Sequence, residues 1–463
     1  MMKLPHILVF ALAVRGALGA QARVPTPSHV AEIARLPADA AALLVKEIVA
    51  ELKADDLAAL ESRFDEPMKA ALPDERLRGF WTGVSAAGGR LKSCGEPRIS
   101  SAAEYTLVLT TCTFEKQRAD LKLTFHPDGR LAGMYLEAGG ASRPDWTAPT
   151  YVTSSSFREH EVQVVSGSVS LPGTLSLPAG DGPFPGVVLV HGSGPQDRDE
   201  TIGGFRPFQD LAQGLASRGI AVLRYDKRTK VYQKELAGTR DMTIRQEVID
   251  DALAAVKLLR TVRGVDPRRI FLTGHSLGAM LAPSIGVLDG SLAGVVLLAA
   301  PSRPMPDVMR DQARFLAEPD APEAQRRVAP EILKDANALA DVYAGKPGPV
   351  SGTILGASVS YWLDLKSYLP LEAARSLGKP LLILQGERDY QVPMADFYGW
   401  KKELGGRPGV VLKSYPALNH LFAPGKGRSA PAEYEKPGHV AAEVIEDIAA
   451  FVKKAPPSAV KAP

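Results

Sequence analysis

The segment that most restricts how this chain can fold runs from Arg269 to Ala279. A strand-like run, Arg269 to Thr273, passes straight into Gly274-His275-Ser276-Leu277-Gly278, and a helical pattern follows at once. A serine on so sharp a strand-to-helix turn has strained backbone angles, and side chains two positions to either side would collide with neighbouring backbone. Glycine at both places removes the collision. Ala279 keeps the next contact small as well. Such a turn lifts the Ser276 hydroxyl above the sheet and aims the Leu277 N–H at any negative charge that develops beside it.

A turn of this kind needs buried strands behind it, and the flanking sequence supplies them. From about Phe157 onward strand and helix alternate, the pattern of a mainly parallel sheet covered on both faces. Pro185 to Val190 is a short undivided apolar run, as befits a strand buried on both sides, and it ends in His191-Gly192-Ser193-Gly194-Pro195. A helix is expected around Pro207 to Ser217 and a strand from Ile220 to Tyr225. A long helix should begin near Thr243, where Thr243 and Gln246 have capping-box spacing. Beyond the turn come the strand Gly294 to Ala300, an amphipathic helical insertion from about Pro301 to Ser376, the strands Pro380 to Gln385 and Val410 to Tyr415, and a closing helix near Val440 to Lys453. The Ala- and Pro-rich tail, 455–463, reads as disordered.

At 463 residues the chain exceeds one ordinary core, at roughly 150 residues per domain. From about Ser28 to Leu60 apolar residues such as Ala40, Leu43, Leu44, Ile48 and Leu52 recur at helical spacing, which predicts one or two amphipathic helices. Between Arg90 and Gly139 the runs Tyr105 to Thr110 and Leu121 to Phe125 are strand-like, with a tight turn at His126-Pro-Asp-Gly129. Residues 28–140 thus form a small α+β unit, and a Ser-, Thr- and Pro-rich linker, 141–156, separates it from residues 157–454. Ahead of both, Lys3 precedes the apolar run Ile7 to Val14, and small residues lead to Ala20-Gln21-Ala22. This pattern predicts a signal peptide over residues 1–22, cut after Ala22 or Ala20, and hence export to the periplasm or beyond, although Arg15 interrupts it. Cys94 and Cys112 both lie in strand-like segments. An oxidising compartment would allow a disulfide between them, two buried thiols being the alternative. Neither has the spacing or histidine company of a metal site. The net charge is only +3, with Lys and Arg scattered, so the electrostatic footprint of nucleic-acid binding is missing. No later stretch holds the ~18 consecutive apolar residues of a membrane span.

A serine hydroxyl is a poor nucleophile until a base takes its proton and a carboxylate holds that base in the right tautomer. Asp389 follows the strand that ends at Gln385, in Gly386-Glu-Arg-Asp389. His420 follows the last strand, in Pro416-Ala-Leu-Asn-His420. With Ser276 they stand in the chain order serine, acid, histidine, all on the rim where open α/β sheets bind ligands. Glu387 is the competing acid in the same loop, and His439 the competing base, more simply a surface or capping residue. His275 sits in the turn itself, where its backbone position matters more than its imidazole, and His191 reads as a structural histidine. The Ser193 N–H, with Gly192 as the close alternative, would join Leu277 as the second oxyanion donor. The charged runs Gln196 to Glu200 and Asp226-Lys227-Arg228 read as loop braces. Met305, Met309, Phe315, Leu316, Tyr343, Tyr361, Trp362 and Leu363 of the insertion are available to face inward, as in a lid packed on the core.

With these residues placed, the stretch from about Phe157 to Lys454 resembles the α/β-hydrolase superfamily, near its dienelactone-hydrolase-like and carboxylesterase branches. The matching pieces are His191-Gly-Ser-Gly-Pro-Gln-Asp-Arg-Asp-Glu200, Tyr225-Asp-Lys-Arg228, Gly274 to Gly278, Gly386 to Asp389 and Asn419-His420. Thr229-Lys230 and Ala279 stand where relatives usually carry glycine. The front unit resembles the small uncharacterised α+β domain that precedes such hydrolases in some bacterial proteins, thought similar in shape to the cone-like nuclear-transport-factor fold. The resemblance implies an α/β-hydrolase fold with a helical lid, and hydrolysis of a small carboxylic ester through an acyl-serine, with no cofactor. A serine peptidase like the prolyl oligopeptidases is the rival enzyme, but the front unit is far too short for the propeller those proteins carry. A non-catalytic binder on a hydrolase scaffold would lack a triad member, and none is missing.

Overall fold

The computed structural model describes residues 36–102, 105–116, 118–138, 146–236, 242–319, 321–349 and 353–459. The chain divides between Asp145 and Trp146 into two compact units. The smaller holds four helices, α1 (Ala38–Ala54), α2 (Leu57–Ser62), α3 (Glu66–Ala71) and α4 (Asp74–Gly88). They precede an antiparallel sheet of β1 (Leu91–Cys94), β2 (Arg98–Ala102), β3 (Tyr105–Phe114), β4 (Arg118–Phe125) and β5 (Leu131–Ala138). Alternation along β3 buries Val108, Cys112 and Phe114, which join Ala41, Val45, Ile48 and Leu52 of α1 in one core. Over the stretch where apolar spacing indicated one or two helices stand α1 and α2. At six residues each, α2 and α3 are too short for a helical period to show. Each is instead started by an aspartate cap, Asp56 accepting from the Ala59 N–H and Asp65 from the Met68 N–H. At the expected turn the Gly129 N–H donates to His126 O at 3.0 Å, and β4 and β5 run antiparallel around it. Cys94 and Cys112 are direct cross-strand partners and form a disulfide, so the two-thiol alternative falls.

The larger unit opens with a hairpin, β6 (Phe157–Ser166) and β7 (Val169–Pro178), followed by β8 (Phe184–Val190), α5 (Pro207–Ala216), β9 (Ala221–Tyr225) and the short helical turns α6 (Arg228–Val231) and α7 (Gln233–Leu236). A π-helical turn, Arg245–Ile249, leads into α8 (Asp250–Arg260). Then come β10 (Val265–His275), α9 (Leu277–Leu288) and β11 (Gly294–Leu298). The insertion contributes α10 (Met305–Ala317), α11 (Glu323–Tyr343), the small hairpin β12 (Thr353–Ile354) and β13 (Ala357–Ser358), α12 (Val359–Ser367) and α13 (Pro370–Ser376). The unit closes with β14 (Leu381–Gly386), α14 (Met394–Leu404), β15 (Val410–Tyr415) and α15 (Ala442–Lys454).

Among the described residues the large sheet has the order β15-β14-β11-β10-β8-β9-β7-β6. It is parallel from β15 to β9; β7 runs antiparallel to β9 and β6 antiparallel to β7, so β7 alone opposes the other strands. Alternate residues of β8 divide between two cores. Val188 and Val190 pack with α8, α9 and the insertion, while Val187 and Leu189 pack with Phe208 and Leu211 of α5 and Ile445 and Ile448 of α15. The edge strand β6 was not marked by apolar alternation because Arg158 to Glu161 all face solvent. The reciprocal cap is present: the Thr243 N–H donates to Gln246 Oε1 and the Gln246 N–H to Thr243 Oγ.

Two boundaries and one side chain differ from the sequence reading. The second half of the expected linker packs on the larger unit, where Trp146 Nε1 donates to Asp210 and the Tyr151 hydroxyl to Val440 O. In the tail, Ala455 joins the core and the Ser458 N–H donates to Arg268 O at 2.7 Å. In the insertion Met309, Leu316 and Trp362 are buried, but Leu363 is 46% exposed. One residue on from Trp362, it turns away from the face that Trp362 and Leu365 bury. The expected signal peptide and residues 460–463 lie outside the described residues. Among the described residues no helix is long and apolar enough to cross a membrane.

Candidate active site

Ser276 stands between β10 and α9 with φ 52° and ψ −117°, a left-handed conformation that costs a non-glycine residue on the order of 1–3 kcal/mol. Neighbouring backbone imposes it. The Ser276 N–H donates to Leu298 O of β11 at 2.9 Å. A Cβ on Gly274 would lie 2.3 Å from Gly278 O, and one on Gly278 would lie 2.3 Å from Val190 O. Leu277 opens α9, so its N–H belongs to the first turn, which the helix itself leaves without an acceptor.

Asp389 lies just past β14 and His420 just past β15, so both reach the carboxyl rim that carries Ser276. His420 Nδ1 is 2.7 Å from Asp389 Oδ2, and both residues are buried. Asp389 Oδ1 accepts the Gln391 and Val392 N–H groups at 2.8 and 2.9 Å, and Oδ2 also accepts Gln385 Nε2 at 3.1 Å. A carboxylate held by so many donors is fixed in direction. The His420 loop is set in the same way by Asn419, whose side-chain oxygen accepts the Leu421 and Ala423 N–H groups. Gln385 and Asn419 were not singled out as site residues in the sequence. Gln385 did carry a signal: it is a polar residue closing an otherwise apolar buried strand. The competing acid Glu387 is exposed and accepts the Ser414 hydroxyl. The competing base His439 is held by the fully buried Asp210, whose hydrogen bond lifts its imidazole above the ordinary value.

Ser276 Oγ makes no hydrogen bond to His420 among the described residues. What brings the two loops together is His275. Its ring lies 4.6 Å from the His420 ring, and its Nε2 meets His420 O at 3.0 Å. His275 Nδ1 is 3.0 Å from Glu200 Oε2, an ion-pair contact off the line of a hydrogen bond. Burial works against a charge on His275, but the Glu200 carboxylate outweighs it and raises the imidazole above its ordinary value. Burial would likewise raise Glu200, and His275 beside it brings it below the usual carboxylate range instead. The reading that the backbone position of His275 matters more than its imidazole is therefore corrected, since the imidazole ties the serine turn to the His420 loop.

Glu200 also distinguishes the two candidate N–H groups. Its Oε1 accepts the Gly192 N–H at 2.6 Å, which occupies that donor. The Ser193 N–H meets no acceptor among the described residues. A Cβ on Gly192 would lie 3.2 Å from Ser276 Cβ, so this loop passes directly beside the serine. The charged run that follows is a brace: Arg198 pairs with Asp226 and Glu161, and Arg224 with Asp199 and Glu159. His191 is buried between Phe208 and Tyr225, and burial lowers its imidazole to about 4.

Residues 187–440 match the family described as "Alpha/beta hydrolase family". The chain belongs to this family. Residues 45–134 of this α/β hydrolase match a second family, described as "Protein of unknown function (DUF3887)". The hydrolase is 39% identical to the esterase EstD of Thermotoga maritima over 388 residues, 84% of this chain and 89% of that protein. It is 26% identical to human acyl-coenzyme A thioesterase 1 over 257 residues, 54% of this chain and 52% of that one. Among solved structures, a Pyrococcus furiosus esterase aligns with 67% of this chain and 94% of its own, at 20% identity and a TM-score of 0.41.

Proposed function

We propose that this hydrolase cleaves small carboxylic esters through an acyl-serine intermediate on Ser276, with His420 as general base and Asp389 as its orienting carboxylate. The observation that carries the reading is the buried 2.7 Å contact between His420 Nδ1 and Asp389 Oδ2, on the rim that also holds a serine in a strained strand-to-helix turn. The match to an esterase over most of the chain supports it. With Nδ1 committed to Asp389, Nε2 is the nitrogen left to take the serine proton. Catalytic hydrogen bonds are often long or unformed without substrate and tighten when it binds, so the Ser276 to His420 bond closes as the ester enters. Oγ attacks the carbonyl, the Leu277 and Ser193 N–H groups hold the oxyanion, and His420 returns the proton to the departing alcohol. Water then repeats the sequence and releases the acid. No cofactor takes part.

Ser276→Ala abolishes turnover of short-chain p-nitrophenyl esters and labelling by a fluorophosphonate, with the thermal midpoint unchanged. Turnover surviving in that variant would remove the assignment. The residue pattern over 1–22 and a disulfide at Cys94 and Cys112 together support a place outside the reducing cytoplasm. Cell fractionation of the full chain tests this, and retention in the cytoplasm would overturn it.

A further inference from the structure

Lys227 lies in a run that reads as no more than a brace, yet its side chain ends against the backbone of the loop beside the serine. It is 2% exposed. Its Nζ donates to Gly192 O at 3.1 Å and to Gly194 O at 3.2 Å, and pairs with Glu247 Oε1 at 3.2 Å. These are three acceptors for the three protons of an ammonium.

In a planar trans peptide the carbonyl and the following N–H point in opposite directions. Lys227 holds Gly192 O, so it also sets the direction of the Ser193 N–H, which must point away from it. The strand order says where that is. Lys227 follows β9, Ser276 follows β10, and β8, which carries the loop, lies between them. The N–H turned away from Lys227 therefore faces the side that carries Ser276. The preceding N–H, that of Gly192, is held by Glu200, so the loop is gripped on both sides of Gly192. A cation on the carbonyl also polarises the peptide and makes its N–H a stronger donor.

Resting on the assignment of Ser276 as the nucleophile, we propose that Lys227 is a positioning residue that aims and polarises the Ser193 N–H as an oxyanion donor. The helical insertion holds Lys227 in place for this role. Glu247, on the π-helical turn, accepts the Tyr361 hydroxyl of α12 at 2.7 Å through Oε2 while Oε1 holds Lys227. Seating of α12 and orientation of the oxyanion donor are thus joined by the path Tyr361, Glu247, Lys227, Gly192.

The test uses the full chain with p-nitrophenyl acetate as substrate and phenylboronic acid as a probe that forms a tetrahedral adduct on the serine. An oxyanion donor is worth roughly 100- to 1000-fold in rate, and misorienting one rather than deleting it gives a smaller loss. Lys227→Met is expected to lower kcat about 10- to 100-fold with KM within about twofold, and to weaken the boronate by a similar factor. Because Lys227→Met leaves the buried Glu247 carboxylate without its cation, a change that can itself prevent folding, the double variant Lys227→Met with Glu247→Gln is measured beside it, and the same losses are expected there. Tyr361→Phe should shift kcat and boronate affinity the same way by about two- to fivefold. If the folded double variant keeps wild-type kcat and boronate affinity, or if KM alone moves, the proposal is overturned. If the wild-type protein neither cleaves the ester nor loses fluorophosphonate labelling on Ser276→Ala, the nucleophile assignment has failed instead.

Discussion

The two flanks of Ser276 are held by different physics. On the acid flank, Asp389 takes its hydrogen bonds, His420 apart, from Gln385, Gln391 and Val392, all within four residues of it, and Asn419 braces the adjoining His420 loop with an uncharged side chain. On the oxyanion flank, the loop after β8 is gripped by charges that reach across to other segments. Its Glu200 meets His275, Lys227 holds Gly192 O and pairs with Glu247, and Arg224 pairs with Asp199. A carboxylate fixed by neighbouring N–H groups tolerates loss of one donor, whereas a buried ion pair that loses one partner leaves an uncompensated charge. The acid flank should therefore fail chemically before it fails structurally, and the oxyanion flank should fail in both ways together.

The sharpest attempt to break this contrast is Asp389→Asn. It presents an amide N–H to His420 Nδ1 and favours the wrong tautomer, so kcat should fall by about 10⁴. Ester kinetics read alongside thermal unfolding would show the larger loss in rate; a collapse of the fold instead would erase the difference between the flanks. Next in size is Glu200→Ala, which strands the Gly192 N–H and removes the carboxylate beside His275. A destabilisation of about 3–5 kcal/mol is expected by urea titration, together with lost activity. Wild-type stability in that variant would mean that the buried charges on this side are dispensable. Gln385→Leu takes one donor from Asp389 and leaves Val392 O unmatched, so a loss of about 1–3 kcal/mol in stability and of roughly tenfold in kcat is expected.

An effect absent at neutral pH concerns His191. Its imidazole titrates at about 4 in the folded chain and near 6.5 when unfolded. Between those values the unfolded state binds the extra proton, so stability falls as pH drops from about 6.5 toward 4, at no more than about 1.4 kcal/mol per pH unit. Above about 6.5 this contribution is complete. His191→Phe should flatten that slope relative to wild type in urea midpoints measured across the range, and an unchanged slope would mean that His191 is not held neutral.

Sequence reading found the acid flank and the serine turn well, because each depends on residues close together in the chain. Gly274 and Gly278 are demanded by a local turn, and Asp389 and His420 each follow a strand whose apolar run is visible. The same reading took His275 as a backbone position and Lys227 as part of a brace, because their partners, Glu200, His420 O and Gly192 O, lie on other loops. Gly192 and Ser193 could not be separated as donors until Glu200 was seen to occupy one of them. In the smaller unit α3, with six residues, is too short for a helical period to show, and the Cys94 and Cys112 pairing waited on the register of β1 against β3.

What the residues alone determined is the alternation of strands and helices and the glycines that let Ser276 sit on its turn, and they offered Asp389 and His420 as the candidate acid and base. These follow from steric limits and periodicities that act over a few residues. Which N–H of the loop after β8 is left open, which charges are buried beside it, and how the insertion reaches that loop were decided only when distant segments packed together. Burial makes an ion pair or an unpaired amide costly or decisive, and burial exists only in the folded molecule.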